Sequence, residues 1–279
     1  MIKKMKGKAW APGHITGFFE VYIKDDLINS GSRGAGINVN KGVKATAEVI
    51  ESSNDKVKAP GISRYAIENL IKDLDKDFEI KIEFEKKIPE RCGFGCSGAE
   101  AITSLLAVKD ALGLHLTQNQ IVGIAHRIEV KKRTGLGDVV PQTQGGVVIR
   151  KKEGGPTVSE IDRIPVKEKE LFFYVFGPIE TSEVISSEKK VTKINKAGRE
   201  KRKKLLEEPS LENLFECSRE FALETKLGNE ETLMFLRETE KKAALTMLGD
   251  SVVSLEPIDE LEPKKSFKAK ISNEGLRIL

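Results

Sequence analysis

The sequence predicts an α+β protein built as two domains, residues 1–152 and 153–279. Three observations carry that reading. Period-two apolar runs and helical stripes mix along the whole chain without strict strand–helix alternation. A charged stretch rich in Gly and Pro, from Lys151 to Thr157, interrupts the pattern where a domain boundary belongs. The 279 residues, 39% apolar and 32% charged, are enough to bury sizeable cores and carry too little Gly and Pro for a low-complexity chain.

The first 60 residues read as strands with glycine turns. The segment from Trp10 to His14 breaks one apolar run, and Ile15 starts the next. Gly31 to Gly36 reads as a glycine-rich turn, after which Ile37 and Val39 alternate with Asn38 and Asn40. Ile67, Leu70, Ile71 and Leu74 fall at helical spacing and predict a helix from Pro60 to Leu74. Phe78, Ile80, Ile82 and Phe84 alternate as a half-buried strand. The next helix is expected to start at Ser97, with Ser97 and Glu100 as a capping box and Ile102, Leu105, Leu106 and Leu112 as the apolar face. A further helix starts at Thr117, capped with Gln120, along the stripe Ile121, Ile124, Ala125 and Ile128. Gly135 to Asp138 breaks the pattern before the Gly145-Gly146 turn and a strand from Val147 to Ile149. Past the boundary come a strand near Leu171 to Phe176, a basic helix around Thr192 to Leu206, and helices near Ser210 to Thr225 and Asn229 to Lys241. Strands at Val252 to Leu255 and Phe267 to Ile271 follow.

Several function classes fall away. A net charge of +4 is no argument for nucleic acid. The basic run from Lys189 to Lys204 has no interleaved aromatic residue and is diluted by Glu200, Glu207 and Glu208, so a solvated helix is favoured over an RNA-binding face. No apolar run approaches the roughly 18–20 residues of a spanning helix, and the Lys-rich start lacks the apolar stretch of a signal peptide. Cys92, Cys96 and Cys217 cannot form a disulfide framework, so the expected compartment is the reducing cytoplasm. Cys92 and Cys96 have no third ligand nearby, which argues against zinc. Cys96, at a helix start, is expected to have a lowered pKa and to react with thiol reagents.

The strongest chemical signal is the loop from Cys92 to Gly98. Its three glycines let backbone approach a ligand, and the following helix offers free N–H groups and a positive dipole end, as phosphate binding requires. A plain glycine turn before a capped helix accounts for the same residues. The segment lacks the Lys-Ser/Thr of a Walker loop and the βαβ context of a dinucleotide fold. Glu129, at the end of the helix that starts at Thr117, and Asp138, in a glycine turn, add two carboxylates. A phosphate cradle, a hydroxyl at a helix start and two carboxylates are what a Mg²⁺-nucleotide phosphotransferase needs.

Pro89-x-x-x-Gly93-Phe94-Gly95-Cys96-Ser97-Gly98-Ala99 resembles the second motif of the GHMP kinases, P-x-x-x-G-L-G-S-S-A-A. Ala11-Pro12-Gly13 matches their first motif, and Gly135-Leu136-Gly137-Asp138 with Gly145-Gly146 resembles their S-G-x-D…G-G segment. The resemblance implies a two-domain kinase, with an S5-like N-terminal domain and a ferredoxin-like C-terminal one, that uses ATP and Mg²⁺. It implies nucleotide binding by Pro89, Cys92, Gly93, Phe94, Gly95, Cys96, Ser97 and Gly98. Ser97 and Glu129 become the metal ligands, and Asp138 the base toward the substrate hydroxyl.

There are departures. Cys96 and Gly98 replace a Ser and an Ala. His14 stands where mevalonate kinase-like members carry Lys, and the third motif has decayed to Met247-Leu248-Gly249-Asp250-Ser251. A-P-G-H-I-T-G-F-F, G-S-R-G-A-G and M-L-G-D-S-V are similar to the archaeal pantoate kinases. That similarity implies pantoate as substrate, in coenzyme A biosynthesis, and a homodimer is the family-style expectation. Arg33, in its glycine turn, is a candidate clamp for the pantoate carboxylate, and His14 for its oxygens. Homoserine, mevalonate or shikimate as substrate, or a silent nucleotide sensor, are the competing readings. No nucleic-acid or membrane partner is expected.

Overall fold

Strand β1 (Lys4–Tyr22) runs through the segment that the sequence marks as a break. Pro12 and Gly13 are absorbed as a register shift, with another between Thr16 and Phe18, so the strand bends without ending. This structure, a computed structural model, describes residues 4–178 and 187–279. Strand β2 (Gly31–Ser52) pairs antiparallel with β1 from Tyr22↔Gly31 to Lys4↔Ile50. The glycine-rich segment expected as a turn is thus the first stretch of β2. The chain reverses earlier, where Asp26 accepts the N–H of Ile28 at its side chain and those of Asn29 and Ser30 at its carbonyl.

After β3 (Lys56–Lys58), helix α1 (Gly61–Ile71) and β4 (Asp77–Lys86) come helices α2 (Cys96–Leu112) and α3 (Gln118–Lys132). A short α4 (Pro141–Gln144) leads into β5 (Val147–Lys152) and β6 (Glu160–Ile164). The first sheet has the order β11–β1–β2–β4–β3, with β11 the closing strand Arg277–Ile278, and β5 and β6 extend from the other end of β2. Helix α2 lies across β1 and β2 and buries Ala99, Ile102, Leu105 and Ala107 completely. The chain first changes sheet between Ile164 and Glu170, beyond the boundary placed at 152/153.

The second sheet, β10–β7–β9–β8, is antiparallel. It comprises β7 (Glu170–Gly177), β8 (Ala243–Leu245), β9 (Asp250–Ser254) and β10 (Lys265–Lys270), with helices α5 (Glu188–Glu207), α6 (Leu211–Thr225) and α7 (Glu230–Glu238) between β7 and β8. Strand β11 (Arg277–Ile278) then returns to pair with β1. The short strands β3, β8 and β11 and the charged β6 carry no apolar alternation long enough to read from sequence.

The two capping boxes fare differently. At Thr117 both bonds form: Thr117 Oγ1 accepts from the Gln120 N–H, and Gln120 Oε1 accepts from the Thr117 N–H. At Ser97 neither does. Gly95 occupies the N-cap of α2 in a left-handed conformation, φ 62°, so Ser97 already lies inside the first turn. Glu100 instead pairs with Lys86.

Phe94 packs its ring against Phe173 and Phe267 of the second sheet, at centroid distances of 5.3 and 5.6 Å. Buried Glu20 of β1 accepts from Arg202 of α5 at 2.7 Å. Lys201 and Lys204 pair with glutamates of α6. Much of the basic run is therefore used inside the molecule.

Arg33 and Lys24 converge on buried Glu153, at 2.7 and 2.8 Å. Burial would raise the Glu153 pKa, but the two cationic hydrogen bonds outweigh it and bring it down to about 2. A carboxyl with a lower pKa in the folded chain stabilises above its unfolded value of about 4.3. That stability is lost as pH falls toward the folded value. Glu153→Gln is expected to cost about 2 kcal/mol at neutral pH, with the deficit shrinking toward about pH 3. Thermal unfolding at both pH values tests this; a pH-independent deficit would contradict it.

Candidate active site

The loop between β4 and α2 is held from several sides. The side chain of Phe94 docks on the second sheet, and its carbonyl accepts the His14 N–H at 3.0 Å. Gln142 Nε2 donates to both Gly95 O and Pro12 O, at 2.9 and 3.1 Å, tying this loop to the first motif on β1. Thr246 Oγ1 donates to Cys92 O at 2.9 Å. A Cβ at Gly249 would sit 2.0 Å from the Cys92 carbonyl carbon, so the decayed third motif serves as a close buttress for the loop. Gly93 and Gly95 take positive φ, which lets the loop turn into the start of α2.

The loop borders a cavity of about 550 Å³. Gly93 to Gly98, His14, Glu129 and Asp138 all line it, so most of the residues singled out by sequence come together. Pro89 and Cys92 do not line it. Cys92 is buried at the start of the loop, its thiol donating to Glu90 O. Arg33 is also elsewhere, paired with Glu153 and 4.5 Å over the Tyr22 ring.

The cavity contains an arginine that the sequence reading missed. Arg150, the last fully buried residue of β5, is 3% exposed. Its Nη1 donates to Gly137 O at 2.9 Å and lies 3.9 Å from Asp138 Oδ1, while its Nε has no partner among the described residues. The only sequence signal was a charge directly after the apolar run Val147 to Ile149. Thr16 was missed too; its hydroxyl donates to Asp138 Oδ1 at 3.3 Å.

Burial pushes the Asp138 carboxyl above its usual range, while Arg150 and Thr16 work against the shift. Glu129 is 2% exposed and its Oε2 has no partner among the described residues. Burial, then the neighbouring Asp138, raise Glu129 to about 8, against a side-chain hydrogen bond with Ser97. A buried carboxylate, a half-buried one and a hydroxyl are hard oxygen donors, which fit a small divalent cation. Burial, then Arg150, hold His14 down at about 3, so its ring is neutral.

Two expectations for the helix start change. Cys96 is buried, and its thiol faces Glu100 at 3.7 Å. Burial, then that carboxylate, push it up to about 12, overriding the helix end. Native protein is therefore expected to resist iodoacetamide at Cys96 at neutral pH, as mass spectrometry would show; rapid labelling would contradict the burial argument. Ser97 has no cap to lose. Ser97→Ala is expected to leave stability within about 0.5 kcal/mol, because the usual loss at an N-cap does not apply. A large drop in melting temperature would contradict the absence of a Ser97 cap.

Residues 61–146 match the family described as GHMP kinases N terminal domain. A pantoate kinase of Methanocaldococcus jannaschii is 35% identical over 92% of this chain and 96% of its own. One from Methanospirillum hungatei is 33% identical over 97% and 96%. Among solved structures, one titled "Phosphotransferase related to CoA biosynthesis pathway" superposes with a TM-score of 0.84, at 26% identity over 99% of both chains. The fold and the motif loop define the class, a GHMP kinase, and the full-length relatives narrow it: the chain belongs to the pantoate kinase family.

Proposed function

We propose that the protein transfers the γ-phosphoryl group of ATP to the 4-hydroxyl of (R)-pantoate, giving 4-phosphopantoate for coenzyme A synthesis. The observation that carries this reading is 35% identity to a pantoate kinase along 92% of the chain. The cavity supplies the parts. N–H groups of the glycine loop and the first turn of α2 cradle the phosphates. Ser97 and Glu129 are the residues to hold Mg²⁺, which, when bound, neutralises phosphate charge. Asp138 accepts the proton of the 4-hydroxyl as its oxygen bonds to phosphorus and the bridging bond to ADP breaks. Arg150, buried and with an unused Nε, pairs with the pantoate carboxylate, the role the sequence had suggested for Arg33.

A coupled ADP-release assay with Mg-ATP against pantoate, homoserine, mevalonate and shikimate tests the reading. Turnover of pantoate alone is the expected result. Turnover of another alcohol would replace the substrate, and ATP binding without any turnover would point to a nucleotide sensor.

A further inference from the structure

His14 and Asn38 are partners across the β1–β2 ladder, both buried. His14 Nδ1 lies 3.2 Å from Asn38 Oδ1. The far side of the Asn38 amide settles which way it points. Its Nδ2 reaches the carbonyl oxygens of Pro141 and Gly146, at 3.1 and 3.3 Å. Carbonyl oxygens only accept, so the amide nitrogen must face them and the amide oxygen must face the imidazole. That oxygen also only accepts, so His14 Nδ1 must carry a proton. In a neutral ring Nε2 is then a bare lone pair.

Nε2 has no partner among the described residues. The ring has room because β2 carries glycine beside it: a Cβ at Gly36 would lie 2.6 Å from Cε1 and 2.7 Å from Nε2. His14 borders the same cavity as Asp138 and Arg150. Asp138 and His14 therefore bring two hydrogen-bond acceptors to the lining of one cavity. A single hydroxyl proton cannot satisfy both. Asp138 takes that of the hydroxyl being phosphorylated, which leaves His14 for another hydroxyl.

We propose that Asn38 is a positioning residue that locks His14 in its Nδ1–H form, so that Nε2 accepts a hydrogen bond from the second, unreacting hydroxyl of a dihydroxy acid. This rests on the functional reading above. His14 is then a specificity residue: an acid lacking the second hydroxyl leaves a buried acceptor unpaired.

Two measurements test it. The chain has three histidines, so ¹⁵N-histidine spectra are readily assigned by His14→Gln. The expected spectrum of the ligand-free protein shows a pyrrole-type Nδ1 and a pyridine-type Nε2 at His14. Asn38→Leu, which cannot accept from Nδ1, is expected to release the Nε2–H form. An Nε2–H ring in the unmodified protein would overturn the proposal without reference to substrate. The second measurement compares kcat/KM for pantoate with that for 4-hydroxy-3,3-dimethylbutanoate, which lacks the 2-hydroxyl. The unmodified enzyme is expected to lose roughly 10–100-fold on the shorter list of contacts, and His14→Phe to lose most of that discrimination. Equal discrimination by both enzymes, or none by the unmodified one, would overturn the hydroxyl contact. An enzyme inactive on pantoate would overturn the functional reading and the contact together, while the tautomer stands or falls by its own spectrum.

Discussion

Asp138→Asn is expected to lower kcat for pantoate by about 10²–10⁴-fold, the usual contribution of a positioned base, with ATP affinity nearly unchanged. Asparagine keeps an oxygen for the Thr16 hydroxyl, whose bond to Asp138 spans 3.3 Å, so the segment before α4 retains its local contact. What it loses is the ability to take a proton. Raised above the ordinary carboxylate range by burial, Asp138 is a stronger base than an exposed aspartate. ADP release would give the rate and calorimetry the ATP affinity. An unchanged rate, or lost ATP binding, would show that Asp138 is not the base.

Arg150→Met should cost about 10²–10³-fold in kcat/KM for pantoate. Removing one partner of a fully buried charge pair costs about 3–5 kcal/mol, which is an upper bound here because only Arg150 is fully buried and Asp138 is half-buried; the loss falls on both Asp138 and the substrate carboxylate. Methionine fills similar volume, which limits collapse of the site. Arg150 Nη1 also holds Gly137 O at 2.9 Å, so part of the effect acts through the position of Asp138. Arg150→Lys keeps the charge but not the planar fork, and should recover only part of the loss. The KM for pantoate is expected to rise much more than the KM for ATP. A variant with an ordinary pantoate KM would remove Arg150 from substrate binding.

The two arginines show what was legible. The glycines and the helix after them mark the loop, while the roles of Glu129 and Asp138 come from the resemblance to the GHMP motifs; in the folded chain the loop, Glu129 on α3 and Asp138 in the turn before α4 line one cavity. Arg33 attracted the carboxylate role because glycines flank it and glycines read as turns. In the folded chain they belong to a paired strand, and one of them, Gly36, makes room for the His14 ring. Arg150 follows the apolar run of β5, where its direction depends on a register that only pairing with β2 fixes, Gly34 opposite Arg150. The capping motifs make the same point. Ser97 and Thr117 have matching spacing, but an N-cap side chain works from an extended backbone. Thr117 has one, at φ −73° and ψ 160°, whereas at α2 the left-handed Gly95 stands in that place. For Cys96 the helix end and burial pull in opposite directions, and sequence could weigh only the first.

The chain crosses between its sheets twice, outward after β6 and back after β10. The return crossing is stitched to β2: Lys270 N–H donates to Asn40 Oδ1, and Ser272 N–H to Asn38 O. The joint is not confined to those crossings, since Phe94 packs on Phe173 and Phe267 and Glu20 holds Arg202. Asn38 serves two neighbours at once: its carbonyl receives the Ser272 N–H and its side chain faces His14. The returning segment therefore braces the same residue that orients the imidazole, so a change in how that segment is anchored is felt at the cavity wall.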